Sequence, residues 1–64
     1  MKVKLSLVIQ NHLSDAAVVM IHNPGTASDH ITFVKNLIAK YPDTSVEVEE
    51  SELDRMWHRV LINL

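Results

Sequence analysis

Cysteine is absent from the 64 residues, which rules out disulfides and thiolate metal sites together. Small domains often lean on one or the other, because a chain of about 60 residues buries only about 60% of the surface it exposes when unfolded. Packing or a partner chain must therefore supply stability. Glycine occurs once, at Gly25, too sparse for a phosphate-cradling loop, which needs several glycines before a helix. Charge of one sign is scarce as well. Six Lys and Arg stand against eight Asp and Glu, for a formal net charge of -2. Lys2 with Lys4 and Arg55 with Arg59 are the only close basic pairs, whereas nucleic-acid binding draws its affinity from clustered cations. The continuous apolar run from Ala16 to Ile21 is far shorter than the roughly 20 residues of a membrane span. Asn11, His12 and Asp15 interrupt any signal-peptide core. The expectation is one small soluble domain over residues 1–64, in the cytosol.

What the chain does have is apolar residues, 47% of the total, well above the range of disordered chains. Their spacing between Leu5 and Ile21 sets the organisation. At about 100° per residue, Leu5, Val8, Ile9, Leu13, Ala16, Val19 and Met20 share one arc, which predicts an amphipathic helix from about residue 4 to 22. A second pattern competes with it. Val3, Leu5, Leu7 and Ile9 alternate with Lys2, Lys4 and Ser6, the period of a strand. Its mate would be residues 45–49, where Val46 and Val48 alternate with Glu47 and Glu49, so that lysines face glutamates. The longer stripe favours the helix.

Asn23-Pro24-Gly25 combines turn residues and predicts a chain reversal. Beyond it, Thr26 or Ser28 is expected to cap a second helix, whose stripe is Ile31, Val34, Leu37, Ile38 and Tyr41, with Phe33 at its edge. Pro42 ends that helix. A loop this short makes the two helices an antiparallel hairpin. Asp43-Thr44-Ser45 is turn-like, and Glu47, Glu49, Glu50 and Glu52 read as a solvated linker and first helical turn, where carboxylates complement the helix dipole. Leu53, Met56, Trp57, Val60, Leu61 and Leu64 form the third stripe, with Trp57 expected to lock it across the hairpin. The predicted fold class is therefore all-α, a helical hairpin plus a third helix. The alternative is α+β, with the N-terminal strand paired to residues 45–49.

Chemistry-bearing residues are few. His12 and His30 fall within the stripes of different helices, and Asp15 and Asp54 lie one turn from His12 and His58. No H-E-x-x-H or E-x-x-H motif accompanies them, so no metal ligand and no cofactor is assigned. Ser14-Asp15 and Ser28-Asp29-His30 have ready roles as caps; sequence adjacency does not make a triad. No catalytic residue is assigned, and an enzyme is not expected. Leu7, Val18, Ile21, Phe33 and Ile62 lie off the stripes. Several such residues on so small a chain point to a shared surface. The expected role is a protein–protein interaction or self-associating module, with a homo-oligomer or a protein partner. The alternative is a nucleic-acid-associated regulator. The strand-first pattern invites comparison with the ribbon–helix–helix arrangement, in which Lys2 and Lys4 would face the groove. A metal-dependent enzyme ranks third.

Overall fold

The first residues satisfy both competing patterns, one after the other. In the computed structural model, which describes residues 1–62, β1 (Lys2–Lys4) runs without a loop into α1 (Leu5–Val19). Lys4 is still extended, at φ -70° and ψ 124°, and supplies no side-chain cap. The cap comes instead from across the sheet, where the Leu5 amide donates to the Val46 carbonyl at 3.0 Å. β2 (Glu47–Glu49) passes into α3 (Glu50–Ile62) in the same way, and the Glu50 amide donates to the Met1 carbonyl at 3.0 Å. Each helix start thus uses the residue just before the other strand to satisfy an amide that a helix leaves free.

The sheet is antiparallel, with Lys2 opposite Glu49, Val3 opposite Val48 and Lys4 opposite Glu47. Val48 is buried and the charged pairs are exposed. The all-α expectation is therefore right for most of the chain and incomplete at two short strands. Alternation holds only to Lys4 because Leu5, fully buried, belongs to the helical side that also carries Ala16. Part of the acidic run is strand rather than linker. Glu50 and Glu52 do sit in the first turn of α3.

Between the helices the chain reverses earlier than the Pro-Gly pair suggests. Residues 20–22 form the turn, and α2 (Pro24–Lys40) already includes Pro24 and Gly25. Asn23, not Thr26 or Ser28, is the cap: its Oδ1 accepts from the Thr26 amide at 3.2 Å. Proline suits the first helical position because its missing N–H would have no partner there. α2 ends before Tyr41, which is non-helical ahead of Pro42. Asp43 then closes a turn, accepting from the Ser45 amide and hydroxyl.

α1 and α2 form the expected hairpin, and α3 with the sheet covers one of its sides. Leu5, Phe33, Leu37, Val48, Leu53 and Val60 make the core. Phe33 is 1% exposed, so it is not part of a surface patch. α3 approaches α2 from the Phe33–Leu37 side and shifts the buried arc that way. The displaced residues are Leu13, Met20 and Ile38, which lose the burial their stripes predict and stand about half exposed. Leu61 is 40% exposed as well. Leu64, the last residue of the third stripe, lies outside the described residues.

Candidate functional site

Two features stand out. The first is a ring cluster where the three helices meet. His12 lies one turn before Ala16 on the buried side of α1, and His30 one turn before Phe33 on α2. The hairpin brings their Nδ1 atoms to 2.8 Å. Trp57 of α3 stacks on His30 with centroids 4.9 Å apart, and the Phe33 edge meets His12 at 4.6 Å. His22 and His58 stay exposed.

The geometry of the pair decides what it can hold. With Nδ1 atoms at 2.8 Å and ring centroids at 5.0 Å, the imidazoles meet nearly nitrogen to nitrogen. One ring donates its N–H and the other accepts, so the contact is built around a single proton. A metal on that line, about 2.0–2.1 Å from each nitrogen, would need roughly 4 Å between them. Among the described residues no group of three or more metal-binding side chains converges. Burial, and after it the electrostatic influence of the neighbouring His30 ring, hold His12 below the ordinary histidine value, while Asp15 pulls the other way. The cavity beside His12 has a volume of about 230 Å³ and is walled by Val3, Val8, Leu53 and Trp57, with the carboxylates of Glu50 and Asp54. That is below the range of about 300–1,000 Å³ typical of ligand pockets.

The second feature is the outer face of α1. Leu7 is 53% exposed, Val18 72% and Ile21, just past the helix, 85%. At about 100° per residue Leu7 and Val18 share a ridge with Asn11 and Ser14, opposite Leu5 and Ala16, and Ile21 follows in the turn just past its end. Asp15 is the only charged residue in the whole helix. Of the residues the sequence singled out, Leu7 and Val18 are thus brought together, with Ile21 just beyond them. Ile62 is exposed on α3, and Phe33 is in the core. Sequence reasoning missed Asn11 and Ser14, although the alternating spacings of four and three from Leu7 through Asn11, Ser14 and Val18 to Ile21 were there to find.

The cations form no cluster of their own. Lys2 and Lys4 face Glu49 and Glu47 across the sheet, and Lys40 is paired with Glu52. Strand β1, which a ribbon–helix–helix dimer would pair with a second chain, pairs here with β2. No helix among the described residues is long and apolar enough to cross a membrane.

Comparison with protein-family models, curated proteins and solved structures gives no match.

Proposed function

We propose that this chain is a self-associating interaction module of the cytosol, with the outer face of α1 as its working surface. One observation carries the reading: a fifteen-residue helix on the surface of the molecule has a single charged residue. A helix that only meets water normally carries charged and polar residues on its outer side. Here the ridge presents leucine and valine, separated by small or neutral polar groups. Exposed apolar residues scattered singly mean little; these are aligned along one ridge.

The contact is modest in size. From Leu7 to Val18 the ridge runs about 16 Å at 1.5 Å per residue. A single helix face of that length falls short of the roughly 800 Å² per partner of a stable interface. Association is therefore reversible and concentration-dependent.

Sedimentation equilibrium over a wide concentration range tests the proposal. The wild-type mass should rise with concentration, and Val18→Glu should hold the chain at monomer mass with its far-ultraviolet circular dichroism unchanged. A wild type that stays monomeric at every concentration would overturn it. So would a Val18→Glu chain that assembles as well as the wild type.

A further inference from the structure

The order of residues along the exposed ridge names the partner and its orientation. Resting on the α1 surface proposed above, we infer that α1 pairs with α1 of a second copy, antiparallel, with Leu7 against Val18 and Asn11 against Ser14 of the other chain.

The first ground is internal symmetry. The midpoint between Leu7 and Val18 falls between His12 and Leu13, and so does the midpoint between Asn11 and Ser14. Turned about that point, the ridge from Leu7 to Val18 therefore matches itself, large apolar residues meeting apolar and polar meeting polar. An isologous two-fold contact demands such self-complementarity. All four residues are exposed, so none has to leave the core.

The second ground is the cost of slipping. Asn11 and Ser14 can hydrogen-bond one another across the seam. Slipped four residues one way, Asn11 would meet Val18 and lose its partner; slipped three residues the other way, Leu7 would face Asp15. A polar side chain in an otherwise apolar seam is the device by which paired helices fix their register at some cost in stability. Ser14 and Ala17 are small, which lets the helices approach at the centre of the contact.

The third ground is orientation. Parallel pairing would align two helix dipoles. It would also bring both sheets, with their exposed lysines and glutamates, to the same end of the dimer. Antiparallel pairing places each sheet beside the α1–α2 turn of the other copy. That turn, residues 20–22, contains no acidic or basic residue other than His22.

Charge reversal within one chain separates the arrangements. Leu7→Glu and Val18→Lys should each weaken dimerisation about tenfold or more by placing a charge against an apolar residue. The double variant Leu7→Glu/Val18→Lys should recover most of that loss, because each glutamate then faces a lysine of the other copy. In a parallel dimer the same chain would set glutamate against glutamate and lysine against lysine. A double variant weaker than either single variant, or no stronger, overturns the antiparallel register while the self-association of the wild type stands. A wild type that is monomeric throughout the concentration range overturns both. Circular dichroism of each variant separates loss of pairing from loss of fold.

Discussion

His12 meets His30 at 2.8 Å in a part-buried contact, and the burial of His12 gives stability a dependence on pH whose sign can be worked out. His12 is held below the ordinary histidine value, chiefly by burial. The unfolded chain therefore binds its proton first as pH falls, and the folded state loses ground. Stability is full above about 6.5, the ordinary histidine value. It declines as pH drops from there through the lower folded value. Thermal melts followed by Trp57, the single tryptophan, should show a lower midpoint at about pH 5 than at about pH 7.5. A His12→Gln chain should show a flatter profile over the same range. Phe33 sits at the same junction and is 1% exposed. Phe33→Ala should cost about 3–5 kcal/mol. The whole domain has roughly 3–10 kcal/mol to lose, so urea titration should find this variant largely unfolded or close to it. Neither residue was fully legible in the sequence. Histidines in two stripes announced that they could approach, but their levels along the hairpin depend on where the turn begins. Phe33 looked marginal because a wheel centres on the apolar average, and nothing in that average says from which side a third helix arrives.

Among the elements, helix boundaries show where local chemistry speaks and where it is silent. The end of α2 at Pro42 was readable because the proline ring restricts the residue before it. Its start was misread by a few residues: Pro24 looked like a terminator but suits the first helical turn, with Asn23 as the cap. Asn23→Ala should therefore destabilise the protein by about 1 kcal/mol, measurable as a shift in the denaturation midpoint with the slope unchanged. Thr26→Ala, by contrast, should have little effect through capping, because its hydroxyl has no part in that cap. The junction from β1 to α1 carried no signal at all. Lys4 cannot cap, and the carbonyl that receives the Leu5 amide belongs to Val46. A helix start completed by a residue so distant is invisible to any local reading. The pairing of lysines with glutamates was legible, since the alternation on both strands is visible in the charges themselves.

Over the whole molecule, two kinds of contact differ in how far along the chain they reach. The α1–α2 hairpin closes through the short turn at residues 20–22, whereas β1 pairs with residues more than forty positions away. Closing so long a loop costs entropy before any strand contact repays it, and three paired residues repay little. The hairpin is therefore expected to assemble first and shorten the effective distance the strands have to find, with the sheet as a late clasp. This divides the protein kinetically. Val48→Ala, in the clasp, should mainly raise the unfolding rate, while Ala16→Gly, at a buried position of α1, should mainly slow folding. Stopped-flow chevrons of the two variants would separate them by which limb moves. A chain fastened last at its sheet is also released first there. Brief openings of the native protein should free the Leu5 and Glu50 amides to exchange with solvent while the middle of the hairpin stays protected.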